Sequence, residues 1–130
     1  MPGQTLAASV PEWGVGDTAP PLRVCLKDGN GDPIDLTGCT VVINIAYASY
    51  SYYYSPMQRI VDGGPCVVDP DQVNNKGYVD WFPLADDLSI AGTFRYNFTI
   101  VYPNLKVQTI SPASVNTLVV RAPAGGMQYA

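Results

Sequence analysis

The chain has 130 residues, a formal net charge of -4, 47% hydrophobic residues and only 14% charged ones. That length and apolar content suffice for one domain with its own core, without metal or disulfide staples. Seven Lys and Arg against 11 Asp and Glu cannot neutralise a row of phosphates, so no nucleic-acid partner and no anionic membrane is expected.

No apolar run reaches the roughly 18 residues that would span a bilayer, and Met1-Pro2-Gly3 lacks the basic start of a signal peptide, which predicts a cytoplasmic product. Twelve Gly and 12 Pro predict many turns and short strands rather than long helices.

Residues 1–12 mix Pro, Gly and small side chains without a period and read as an arm, with the domain boundary placed after residue 15. From Pro20 the chain turns regular: Leu22, Val24 and Leu26 alternate with Arg23, Cys25 and Lys27, the period of two of a strand with one buried face. Asp28-Gly29-Asn30-Gly31-Asp32-Pro33 is a turn, because Gly and Asn accept positive φ and Pro33 fixes its own φ. Residues 41–47 form a core strand with Val41, Ile43, Ile45 and Tyr47 on one face and Val42, Asn44 and Ala46 on the other.

Residues 48–56 are polar and aromatic, with high β propensity and no defined core face. Short strands are expected at residues 59–61 and 66–68, separated by a turn at Asp62-Gly63-Gly64-Pro65. Gly77 opens a strand over residues 78–82 that Pro83 stops, and Asp86-Asp87-Leu88-Ser89-Ile90 reads as one irregular or 3₁₀ turn. The clearest strand follows, with Phe94, Tyr96, Phe98, Ile100 and Tyr102 alternating with Arg95, Asn97, Thr99 and Val101. Pro103-Asn104-Leu105 is short enough for a hairpin into residues 106–110, and a last strand covers residues 116–121 before a tail at 123–130. About seven to nine strands with no helix-period segment predict an antiparallel β-sandwich of the immunoglobulin-like type over residues 16–122.

Chemistry is scarce along this chain. With no His, the commonest general base and metal ligand is missing, and with it the Ser-His-Asp and Cys-His arrangements. Asp69 with Asp71 and Asp86 with Asp87 are carboxylate pairs, but they sit among turn formers where Asp is expected anyway. Asp28-x-Asn30-x-Asp32 resembles the start of a calcium loop, yet Pro33 stands where that loop needs Gly and Cys39 where it needs Glu. The Gly29/Gly31 and Gly63/Gly64 patterns open no helix, so neither aims backbone N–H groups at a phosphate. Asn97-Phe98-Thr99 matches a glycosylation acceptor but lies mid-strand. Cys25, Cys39 and Cys66 are an odd number without metal-ligand spacing and read as buried free thiols. No enzyme activity, metal or cofactor is expected.

Tyrosine is the exception. Tyr47, Tyr50, Tyr52, Tyr53 and Tyr54 fall within eight residues, and Tyr supplies a large, rigid contact area at low entropy cost. Tyr50, Tyr52, Tyr53 and Tyr54, together with Trp13 and Tyr129, are the expected partner interface. The alternative is a ribbon whose tyrosines pack on the domain's own sheet.

Three segments together resemble the N-terminal domain family of phage baseplate upper proteins. The first is Gly16-Asp17-Thr18-Ala19-Pro20-Pro21-Leu22 followed by residues 26–41, whose most specific piece is the turn leading into Ile34-Asp35-Leu36-Thr37-Gly38. The second is Gly77-Tyr78-Val79-Asp80-Trp81 with its continuation through residues 86–94. The third is the closing part, residues 98–120, where the family shows a strand, a hairpin and a strand.

The resemblance implies a β-sandwich that attaches one virion component to another. Members often continue into a longer receptor-facing region, whereas this sequence stops at Ala130, which favours a small adaptor, decoration or cement subunit. The expected function is therefore a non-enzymatic bacteriophage structural protein of the virion, made in the host bacterial cytoplasm. Its expected partners are other tail, baseplate or major capsid proteins in a symmetric homo-oligomer. Residues 1–12, the tyrosine stretch and residues 125–130 would be ordered by neighbouring subunits. Capsid decoration on the phage head is one alternative. A carbohydrate-binding sandwich, with Trp13, Tyr52 or Trp81 stacked on sugar rings, is an alternative of another class.

Overall fold

The computed structural model describes residues 11–47, 59–111 and 116–122. All regular structure among them is β: β1 (Glu12–Gly14), β2 (Leu22–Cys25), β3 (Thr40–Tyr47), β4 (Arg59–Val68), β5 (Tyr78–Trp81), β6 (Gly92–Val101), β7 (Val107–Ile110) and β8 (Thr117–Arg121).

The two segments with the cleanest alternation form the centre. β3 and β6 pair antiparallel from Thr40↔Val101 to Tyr47↔Phe94. Period two turns Val41, Ile43 and Ile45 inward beside Phe94, Tyr96, Phe98 and Ile100, all buried, as the sequence pattern predicts. Removing this apolar surface from water is the main force holding the fold.

The other side of β6 carries two strands in succession. β7 pairs its C-terminal half and β8 its N-terminal half. β1 then adds to β8 in parallel, with Trp13 opposite Val120. On the far side β3 pairs β4, β4 pairs β5 and β5 pairs β2. The result is a curled, mixed, eight-stranded sheet in the order β1-β8-β6-β3-β4-β5-β2, with β7 also on β6.

The sheet curls at β4. The sequence pattern predicts two short strands here with a turn between them; the structure has one strand that changes partner. Its first part pairs β3 through Pro65, and residues 66–68 pair β5. Gly63 makes this continuous. It is skipped in the β3 register and has φ +76°, so the backbone bulges where a turn was expected. The Asn44 side chain fixes the bulge, its Oδ1 accepting the Gly63 amide at 3.0 Å.

Trp13 and the segment before it also depart from the sequence reading. Glu12–Gly14, assigned there to an arm, are strand β1, and Trp13 is only 4% exposed. Its indole Nε1–H donates to the Pro20 carbonyl at 2.8 Å, and its ring meets Trp81 edge to face.

The loop from β2 to β3 is pinned by one side chain. Gln72 is buried, and its Oε1 accepts the amides of Leu36 and Gly77, each at 3.0 Å, while its Nε2 donates to the Asp69 carbonyl at 2.8 Å. Leu36 and Leu26 thereby close the lower end of the core, both fully buried.

Candidate interaction surface

Tyr50, Tyr52, Tyr53, Tyr54 and Tyr129 lie outside the described residues. The sixth expected interface residue is corrected: Trp13 faces the core, because β1 pairs β8 and turns it inward against Trp81. Trp81 is 1% exposed, so neither tryptophan presents a face for a sugar ring.

Asp28, Asp69, Asp71 and Asp87 are occupied locally. Asp28 Oδ1 accepts the Asn30 and Asp32 amides at 2.9 and 3.1 Å, the geometry of a turn rather than of a cation loop. Asp69 accepts from Arg23 at 2.6 Å, and the same guanidinium reaches Asp80 at 2.7 Å and lies 4.6 Å from the Tyr78 ring centroid. The Arg23 hydrogen bond, with the Asp71 amide, holds the Asp69 carboxyl below its ordinary value. Asp71 accepts the Asn74 amide and Asp87 the Leu84 amide, at 3.0 and 2.8 Å. Among the described residues no group of three or more Cys, Asp or Glu is placed to hold a metal ion. Cys25, Cys39 and Cys66 are free thiols and half-buried rather than fully buried.

Two clefts remain. The first is polar, about 340 Å³, on the outward face of β3, β4 and β6, lined by Asn44, Arg59, Arg95, Asn97 and Asn116 among others. Asn44 is its hub. Its Nδ2 donates to Asn97 Oδ1 and Thr99 Oγ1 at 3.0 and 3.1 Å, and its Oδ1 accepts from Arg59 at 3.3 Å. Arg59 is also paired with Asp62, Arg121 with Glu12 and Arg23 with two aspartates, which leaves Arg95 as the arginine with no carboxylate among the described residues. Sequence reasoning missed this group; the signal was two asparagines at matching outward positions in strands, where Asn is depleted.

The second cleft is largely apolar, about 330 Å³, between residues 60–65 of β4 and the end of β5 with the segment after it, where Trp81, Phe82, Leu84 and Asp87 line it. It exists because β4 leaves β5 behind. β5 pairs only residues 66–68, so among the described residues the side of β4 away from β3 has no strand partner from Arg59 to Pro65. Phe82 and Leu84 are 50% and 65% exposed at its rim, and Ile90 on the same loop is 46% exposed.

No known protein-family model matches this chain, and no curated protein matches it at a significant level.

Proposed function

We propose that this chain is a non-enzymatic structural subunit of a bacteriophage particle, an adaptor or assembly subunit of the tail or baseplate. The observation that carries the reading is the side of β4 that has no strand partner among the described residues, beside an exposed apolar rim. An unpaired edge invites another chain to extend the sheet, and a monomer normally covers or charges such an edge. The finer fold reading belongs to the same proposal: the sheet curls into an immunoglobulin-like sandwich. The switch of β4 between two sets of strands and the Trp13–Trp81 contact support it. The baseplate-family resemblance supplies the kind of assembly.

Light scattering of the purified chain, alone and mixed with tail or capsid proteins of one particle, tests the reading. A stable oligomer, or a complex with a tail protein, is expected. A complex with capsid protein alone would move the subunit to the head as a decoration protein. A monomer that joins neither would overturn the assembly role.

The polar cleft favours one second reading, a carbohydrate-binding module, because amides and a guanidinium with no carboxylate partner among the described residues suit sugar hydroxyls and uronates. Binding on a glycan array that is lost in Arg95→Ala would establish it.

A further inference from the structure

Asn30 precedes Gly31 in the exposed turn between β2 and β3, and of the asparagines in the chain it alone is followed by glycine. A backbone nitrogen can attack the side-chain amide of the asparagine before it, and the usual obstacle is the Cβ that crowds that nitrogen. Gly31 has no Cβ, and one built there would meet no atom within 4 Å. The fold also fixes the glycine: Gly31 has φ +85°, a conformation that glycine adopts without steric cost.

The other asparagines are held or hindered. Asn44 and Asn97 bond to each other on the sheet, Asn74 and Asn75 donate to Asp71 and Asp69, and Asn104 accepts the Lys106 amide. Asn116 precedes the β-branched Thr117. Among the described residues no hydrogen bond holds the Asn30 side chain. The turn engages its backbone instead: the Asn30 amide donates to Asp28 Oδ1 at 2.9 Å and the Gly31 amide to the Asp28 carbonyl at 3.0 Å. Residues 27–33 are all exposed, so these bonds open by local fraying while the core stays folded, which frees the Gly31 nitrogen.

We infer that Asn30 is a modification site, deamidated through a succinimide while the chain is folded. The Gly31 nitrogen, its proton taken by hydroxide, bonds to Cγ of Asn30; the side-chain Cγ–N bond breaks and ammonia leaves with a proton from water. Water then adds to one of the two ring carbonyls and the ring opens, leaving aspartate or isoaspartate at position 30. The step is redox-neutral and its one co-reactant is water. Either product adds one negative charge to the formal -4, between the exposed Asp28 and Asp32. Isoaspartate also puts an extra carbon into the main chain between residues 30 and 31, so the 2.8 Å bond from the Asp28 amide to the Asp32 carbonyl loses its register. The next bond inward joins the Ile34 amide to the carbonyl of the fully buried Leu26 at 3.0 Å. Charge and loop geometry at this end of the domain therefore change as the chain ages.

The test incubates the full folded chain in mildly alkaline buffer, beside the same chain unfolded in urea, and follows both by peptide mass mapping and by enzymatic methylation of isoaspartate. The peptide holding residues 28–33 is expected to gain the mass of an amide turned into an acid, as both aspartate and isoaspartate, at a rate within about tenfold of the unfolded chain. The mass gain separates this reaction from isomerisation at Asp28-Gly29, which leaves the mass unchanged. Asn30→Gln, whose longer side chain closes a larger ring more slowly, is expected to keep its mass over the same time. A folded chain that converts more slowly than that limit overturns the inference, because the turn then protects Asn30. Earlier conversion of any other asparagine overturns it too, and aspartate without isoaspartate overturns the ring route. In the purified isoaspartate form, hydrogen exchange at the Ile34 amide is expected to rise by about fivefold or more; unchanged exchange overturns the loosening of the loop.

Discussion

Trp13 and Trp81 meet edge to face with ring centroids 6.2 Å apart, although their strands lie near opposite ends of the hydrogen-bonded order. Hydrogen bonds along the sheet bring β1 and β5 no nearer than several strands; the contact exists because the sheet curls over its core. Two aromatic rings and the apolar side chains beside them close that curl.

Trp13→Ala is expected to destabilise the domain by about 3–5 kcal/mol, the usual cost of emptying a large aromatic site. Trp13→Phe is expected to cost less, since it keeps the edge-to-face partner and loses the hydrogen bond to Pro20. Urea denaturation of both variants checks this, and a change under 1 kcal/mol in Trp13→Ala would refute the closing role.

Gln72→Leu leaves the Leu36 and Gly77 amides without their acceptor inside the protein. The expected loss is on the order of 2–4 kcal/mol, with faster hydrogen exchange at those two amides than elsewhere. Uniform acceleration across the chain, rather than at these two amides, would show that the side chain is not a local clamp.

Acid should weaken the fold through Asp69. Its carboxyl is lowered by the Arg23 hydrogen bond and the Asp71 amide, so the folded state binds a proton less readily than the unfolded chain. The stabilisation is complete above the unfolded value near pH ~4 and is lost as pH falls through the lower folded value. Arg23→Met is expected to be less stable at neutral pH and to lose less on acidification below about pH 4. Chemical denaturation at a series of pH values measures both. Parallel acid profiles for the two proteins would rule the pair out as a source. Asp35, Asp71 and Glu12 are lowered by their own hydrogen bonds and keep part of the acid slope in the variant.

Burial, with the charge of Asp80 adding to it, pushes the Cys66 thiol up to about 12. Alkylation of the folded protein at mildly alkaline pH, read by peptide mass mapping, is therefore expected to modify Cys66 last and to reach it rapidly only after unfolding. Cys25 and Cys39 are raised by burial as well but should react sooner. Early modification of Cys66 in the folded chain would contradict its part-buried place on β4 opposite Trp81 of β5.

The central strands were legible without coordinates. In residues 41–47 and 94–101 the alternation of apolar and polar side chains states both the element and its buried face, since the period of two is a property of the local backbone. The turn at Asp28-Gly29-Asn30-Gly31-Asp32-Pro33 was legible for the same reason: positive φ at Gly31 is a local demand.

The sheet's partners were not legible. Asp62-Gly63-Gly64-Pro65 carries every mark of a turn, and only the pairing with β3, pinned by Asn44, makes it a bulge in a continuous strand. Trp13 has no alternating neighbours to reveal its face; its burial depends on β8, far along the chain, offering an edge for β1. The two clefts follow from the same non-local choices, one from the register of Asn44 with Asn97, the other from the point where β4 parts from β5. What the sequence by itself determined is therefore the all-β class, the strands of the centre and their inward faces, because these depend on neighbours along the chain. What only the tertiary structure decided is which strands meet and which aromatic side chains are covered, because pairing is settled by contacts between residues that the chain order keeps apart.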